Sequence, residues 1–356
     1  VTRASATGYC NFYTSQDGVT WTRLGTADVA SGAGALNAGN EIVEIGSAVL
    51  GTTELLSGNV YYAKVYAGIA LSGATSTLTG TPVVNFDPNL STSAQTFTAS
   101  TGEVWTTNGA ARIFGNTNTT YGIPAPWDAY GPFGYFSEGA RTNLCLQSQT
   151  FDNATWTKLT GSITADQVAA PDGTTTADLF TAGAGSALHG IYQAAVLTSN
   201  TTTAFSVYAK AGTSSNIALV MLDAAVVGGY VTQCFTLSGS GSVGESFIGG
   251  TSGTKTSASI TALPNGWYRL ELVGKVTFAT TNYIQISNAQ ASGNTIDVFG
   301  EVNNSPAAQT FYLWGAQIEL ASFASSYIPT TTAAVTRSAD NAITTNFPWY
   351  NVASGT

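Results

Sequence analysis

Charge is scarce in this chain. Of its 356 residues only 9% are Asp, Glu, Lys or Arg, histidine occurs once, and the eleven basic residues fall singly. No basic patch can therefore neutralise a row of phosphates, and a formal net charge of −9 repels anionic surfaces. Nucleic acid and anionic membranes are excluded as partners on this ground. Long apolar runs are missing as well. None approaches the roughly 18 residues of a membrane helix, and the first residues lack a charged segment followed by an apolar one, so the chain reads as soluble, without membrane insertion. Cysteine is sparse: Cys10, Cys145 and Cys234 are far apart, odd in number and in no metal-ligand spacing. They read as small buried hydrophobes, with a disulfide as the alternative.

What is abundant points to strands. Hydrophobic residues make up 44% of the chain and glycine supplies 39 positions. Alanine is scattered among Gly, Thr and Asn, away from the Glu, Lys and Leu that build helical faces. Thr, Val, Tyr, Phe and Ile recur in short runs between Gly/Ser/Asn clusters, the pattern of short strands joined by tight turns. The fold class expected is all-β, and the length allows two or three domains.

Four stretches can be distinguished. Residues 1–90 hold strand-like runs, among them Val60 to Tyr66, in which alternate side chains fall on opposite faces. Residues 91–146 are irregular and rich in Pro, Gly and aromatics, and read as a packed connector. Residues 147–330 are again strand-rich. Between Trp267 and Phe278, the alternation sends Tyr268, Leu270, Leu272, Val276 and Phe278 to a core face and Trp267, Arg269, Glu271 and Lys275 outward. The same period places Phe205 and Val207 opposite Ser206, Tyr208 and Lys210, and Ile284 and Ile286 opposite Tyr283 and Gln285. Residues 331–356 form a C-terminal extension or the start of a next domain.

Two resemblances sharpen this reading. The runs Tyr13 to Trp21, Glu44-Ile45-Gly46, Gly58-Asn59-Val60-Tyr61 and Val84-Asn85-Phe86-Asp87 resemble the second half of a concanavalin A-like (laminin-G-like) sandwich of phage tail and adhesin proteins. The series Glu138-Gly139-Ala140-Arg141-Thr142-Asn143-Leu144, Phe151-Asp152-Asn153, Phe205 to Lys210, Asn265-Gly266-Trp267-Tyr268-Arg269, Trp314 to Glu319 and Ser326-Tyr327-Ile328-Pro329-Thr330 resembles the carbohydrate-binding-module-like jelly roll of phage fibres. Together they imply tandem antiparallel β-sandwiches in a tail-fibre or head-fibre component on the virion surface. They further imply contact with other virion proteins and with host-cell surface polysaccharide, and a homo-oligomer, a trimer if the protein is a fibre. The N-terminal half of the first sandwich is not seen before Val1, which suggests a fragment of a longer fibre or sandwiches completed by strand donation. A purely structural decoration protein and a binding module of a secreted bacterial protein are the alternatives.

Enzyme chemistry finds little support in the residues. A glycosidase needs two carboxylates across the scissile bond. The pair Glu41 and Glu44 has an odd spacing, which sends the two side chains to opposite faces of a strand. Asp152, Asp172, Asp178, Asp223, Asp297 and Glu319 lie in separate segments. A Ser-His-Asp triad would have to use His189, which has no nucleophile in a strand-turn-helix setting. The chain is therefore read as non-enzymatic and needing no cofactor. Glycan sites pair aromatic platforms with hydrogen-bonding groups, so Tyr208, Trp267 and Tyr283 with His189 are the candidate sugar contacts, beside Lys210, Gln285 and Arg269. The jelly-roll resemblance implies a structural calcium between the first and last strands, for which Asp152 and Glu319 are the candidate side chains.

Overall fold

The computed structural model describes residues 138–340 except 185–187, 196, 224–228, 250–252, 278–281 and 290–308. Elsewhere it describes 82, 84–87 and 96–108, and the strand residues 2–3, 9–11, 13–14, 20–23, 29–30, 43–45, 58–60, 63–65, 75–77, 112–114, 134–137 and 341–344. Among these residues every strand pairing is antiparallel and there is no α-helix. The chain forms two compact units, one from Val1–Gly115, Pro132–Ser137 and Asp340–Thr356, the other from Asn116–Gly131 and Glu138–Ala339.

The larger unit is a β-sandwich of twelve strands. They are β1 (Thr157–Leu159), β2 (Gly161–Val168), β3 (Ala177–Ala182), β4 (Gly190–Ala195), β5 (Thr203–Ala211), β6 (Asn216–Asp223), β7 (Tyr230–Thr236), β8 (Ser242–Gly249), β9 (Gly253–Ala262), β10 (Trp267–Val276), β11 (Asn282–Asn288) and β12 (Thr310–Glu319). Sheet 1 runs β2-β3-β12-β5-β10-β9 and sheet 2 runs β1-β4-β11-β6-β7-β8. Strand alternation builds the core between them. Phe205 and Val207 of β5, Tyr268, Leu270, Leu272 and Val276 of β10, and Ile284 and Ile286 of β11 all lie in one buried cluster with Ile191, Leu219, Met221 and Phe235. These are the inward sets that period two predicts; Phe278 lies outside the described residues. Trp156 joins the same cluster, 5.0 Å from Phe151. Truncating one such side chain to alanine costs about 2–5 kcal/mol.

One residue keeps β12 in phase with the core. Phe311 and Leu313 face inward, and so do Ala316 and Ile318, although a strict alternation would turn the second pair out. Gly315 between them adopts φ +64°, and the register with β5 shifts there, as in a β-bulge with glycine at the left-handed position. The extra residue restores the alternation, leaving Gln317 and Glu319 on the outer side with Trp314.

The smaller unit is built from short sheets. Ala63–Val65 pairs with Val84–Phe86, and a four-stranded sheet runs Thr96–Thr98, Val104–Asn108, Asn341–Thr344, Val43–Ile45. Its core holds Val84, Phe86, Phe97 and Trp105, with the Phe86 ring 5.0 Å from Trp105. Phe97 and Trp105 come from the stretch read as connector, and Asn341–Thr344 from the stretch read as a C-terminal extension or next domain.

Candidate functional site

Both sheets have an outer face, and the two differ. On sheet 1 the outward aromatics Tyr208, Trp267 and Trp314 gather with Tyr327, but they are covered. Tyr208 is 2% exposed and Trp267 1%. Trp314 lies 5.3 Å from Tyr208 and 4.6 Å from Tyr327 between ring centroids. Their polar atoms are engaged: Trp267 Nε1 donates to the Ala169 carbonyl at 3.0 Å, Trp314 Nε1 to Thr176 Oγ1 at 3.1 Å, and the Tyr327 hydroxyl meets Ser148 Oγ at 2.5 Å. Burial raises the phenol pKa of Tyr208, against the pull of Arg269, whose guanidinium sits 5.5 Å from that ring. Reading Tyr208 and Trp267 as solvent-facing platforms is therefore corrected. The period was right about their face, but alternation along a strand carries no information on what lies over it.

Over Tyr208 and Trp314 lies a strap of residues 324–331, whose Tyr327 ring meets both and which is fastened by side chains, whereas Trp267 is tied to the Ala169 carbonyl. The Ala324 amide donates to Glu271 Oε1 at 2.8 Å, that of Ser325 to Glu319 Oε2 at 2.8 Å and that of Ser326 to Glu138 Oε1 at 2.9 Å. Ile328 donates to Gln317 Oε1 at 2.7 Å, its carbonyl accepts from Asn143 Nδ2 at 2.7 Å, and Thr330 donates to Ser148 Oγ at 2.8 Å. Arg269 reaches the Ser325 carbonyl, and Arg337 pairs with Glu138 in a nearly buried ion pair. The polar residues of the jelly-roll-like motifs, Glu138, Asn143, Gln317, Glu319 and Ser326, thus meet in one network that closes the sandwich.

The two side chains named for calcium, Glu319 and Asp152, lie in different surroundings. Glu319 is fully buried, and its carboxylate accepts from Ser325 N, Ser325 Oγ and Gln317 Nε2 at 2.5–2.9 Å. Asp152 is exposed, and its backbone carbonyl accepts from Lys158 Nζ at 2.8 Å. Among the described residues no group of three or more His, Cys, Asp or Glu side chains converges. His189 is 1% exposed, so its ring is not placed to meet a ligand in solution, and its carbonyl accepts from the Asn288 amide at 2.8 Å. Glu41 lies outside the described residues.

Sheet 2 presents a different surface. Its outward positions are fixed by the inward Ile191, Ile217, Leu219, Met221, Val231, Ile284 and Ile286. Tyr192 of β4 stands opposite Gln285 of β11, Gln285 opposite Val220 of β6, Val220 opposite Thr232 of β7, and Thr232 opposite Phe247 of β8. The next row runs Ala194, Tyr283, Leu222, Tyr230, Gly249. Gln285, Val220 and Thr232 are buried; Tyr192, Tyr283, Tyr230 and Phe247 are half-buried and reach solvent. The Tyr192 and Tyr283 rings meet edge-on at 4.9 Å. Gln285 Nε2 donates to Ser287 Oγ at 2.7 Å beneath them. A β-carbon on Gly249 would fall 2.0 Å from the Tyr230 ring, so a glycine there lets that ring lie across the neighbouring strand. Of the aromatic candidates read from the sequence, Tyr283 alone sits on an accessible face. Tyr192 and Tyr230 were missed, although their alternation with Ile191 and Val231 carries the same signal.

No protein-family model matches the chain, and no curated protein does. Among solved structures it is similar to the enzymatically active domain of tailspike protein 4 of bacteriophage CBA120, at 13% identity and a TM-score of 0.29 over 49% of this chain. The chain spans about a fifth of that protein, 21% of its length. It is also similar to the CBM22-1 xylan-binding domain of Paenibacillus barcinonensis Xyn10C, at 14% identity and a TM-score of 0.27, over 52% of this chain and 94% of that one. At these scores neither likeness carries weight for function.

Proposed function

We propose that the protein is a non-enzymatic adhesion component of a virion surface, a tail-fibre or head-fibre part, whose larger unit binds host-cell surface polysaccharide through the outer face of sheet 2. One observation carries the reading: the half-exposed Tyr192, Tyr283, Tyr230 and Phe247 share a face, whereas Tyr208, Trp267 and Trp314 of sheet 1 are buried. Sugars offer apolar CH faces ringed by hydroxyls, and phenol rings supply both a stacking surface and a hydrogen-bonding tip. The virion setting and a trimeric state rest on the fibre-type motifs, and sedimentation of the purified chain tests the oligomer.

The test of the binding role is titration of the purified chain with host surface polysaccharide while released reducing ends are followed in the same sample. Saturable binding without cleavage is expected. Tyr283→Ala and Tyr192→Ala should each weaken it about tenfold, roughly 1.4 kcal/mol. Release of reducing ends would replace this reading by a depolymerase, and absence of both binding and cleavage by a structural decoration protein.

A further inference from the structure

Among the described residues of sheet 2, the outer face carries no basic side chain. Strands β4, β6, β7, β8 and β11 contain no Lys, Arg or His. In β1, Lys158 stands opposite the inward Ile191, and its ammonium donates to the carbonyls of Asp152 and Asn153, both at 2.8 Å. The other cations of this unit lie elsewhere. Lys210, Arg269 and Lys275 belong to sheet 1, Lys255 of β9 is bonded to Gln233, and Arg141 and Arg337 sit on the paired strands Arg141–Asn143 and Val335–Arg337. In sequence, residues 211–254 and 276–336 hold no basic side chain. Among the described residues of the face, the charged outward side chain is Glu245 of β8, which is exposed and on the same side as Phe247. Burial first, and then the field of Glu245, raises the thiol pKa of the neighbouring Cys234.

A polymer of uronic or sialic acids, or a phosphorylated one, would bring a negative charge in nearly every repeat to this surface. Recognition of such groups uses Arg forks or Lys ammonium groups, and none is available to offset their desolvation. The net charge of −9 adds repulsion on approach. We infer that the ligand of this face is an uncharged glycan, a polymer of neutral hexoses or pentoses whose hydroxyls meet the phenols and Glu245, and that acidic polysaccharides are rejected. The inference rests on the carbohydrate-binding reading above.

The experiment is a titration of the full chain and of its Tyr192→Ala variant against neutral polymers (xylan, mixed-linkage glucan, mannan, dextran) and acidic ones (polygalacturonate, alginate, hyaluronate). Each acidic polymer is also tested after chemical reduction of its carboxyl groups. The expected result is binding confined to one or more neutral or carboxyl-reduced polymers, weakened about tenfold in the variant, and changed less than twofold between about 0.05 and 0.5 M NaCl, where screening lengths shrink severalfold. Binding of an acidic polymer that Tyr192→Ala removes and carboxyl reduction weakens would leave the face as the binding site and overturn the neutral-ligand inference. Binding of any polymer unaffected by Tyr192→Ala would overturn the assignment of the face and the inference with it. Failure of every polymer to bind would remove the carbohydrate reading itself.

Discussion

Asp178 places a carboxylate where water hardly reaches. It is 1% exposed on β3, with Oδ2 accepting from the Phe151 amide at 2.7 Å and Oδ1 from the Asp166 amide at 3.0 Å. Burial raises its pKa; the two amides pull it down, and the nearby Asp152 and Asp166 push it up again. The net shift is upward, so the folded protein holds this proton more tightly than the unfolded chain. The sign follows from linkage. This group's contribution to stability is greatest below the ordinary Asp pKa of about 3.9 and declines as pH rises through the raised folded value. We expect the stability of the wild type minus that of Asp178→Asn, from urea unfolding, to fall across that window. A difference that stays flat or rises would mean the amides outweigh burial. The thiols follow simpler rules: Cys145 and Cys234 are free and buried, burial pushes Cys145 far up, and Cys234 is pushed up to about 12. Neither carries appreciable thiolate at neutral pH. Alkylation with iodoacetamide should leave both peptides unmodified in the folded protein and modify both in urea, as read by mass spectrometry.

At the scale of elements, the strap and the bulge of β12 decide which face stays open. Glu319→Ala would strand the Ser325 amide, the Ser325 hydroxyl and the Gln317 side chain in a buried site. Losing a buried charged partner of this kind costs about 3–5 kcal/mol, measurable by urea unfolding. Gly315→Ala should cost about 1–2 kcal/mol from backbone strain at φ +64°, and more because its β-carbon would meet the Tyr208 ring at 2.9 Å. These elements also mark where reading the sequence stops. The inward sets of β5, β10 and β11 were legible because period two is a property of a single strand. The covering of Tyr208 was not, because residues 324–331 have no strand pattern of their own and are held in part by side chains more than 50 positions away in sequence, such as Glu271 and Glu138; nor was that of Trp267, whose indole bonds the Ala169 carbonyl 98 positions away. For the same reason the fastening of Ser325 by Glu319 and of Ser326 by Glu138 was not legible, while Tyr192 passed unnoticed beside His189.

At the scale of the whole molecule, the chain leaves one unit and comes back to it. Arg141–Asn143 pairs with Val335–Arg337, so the two ends of the continuous stretch Glu138–Ala339 lie side by side, and Glu138 and Arg337 form an ion pair at that point. Asn341–Thr344 then takes an internal place in the four-stranded sheet of the smaller unit, between Val104–Asn108 and Val43–Ile45. Ending the chain after Ala339 would remove that internal strand and leave the backbone groups of both neighbours without a ladder partner. The larger unit would keep both of its six-stranded sheets. Hydrogen exchange should therefore lose protection at Val104–Asn108 in the truncated chain, while Asn216–Asp223 and Asn282–Asn288 exchange as slowly as in the full chain. If the two units unfolded as one cooperative block, protection would fall in all three segments together. If the outer face of sheet 2 binds glycan as proposed, the same truncated chain should retain that binding.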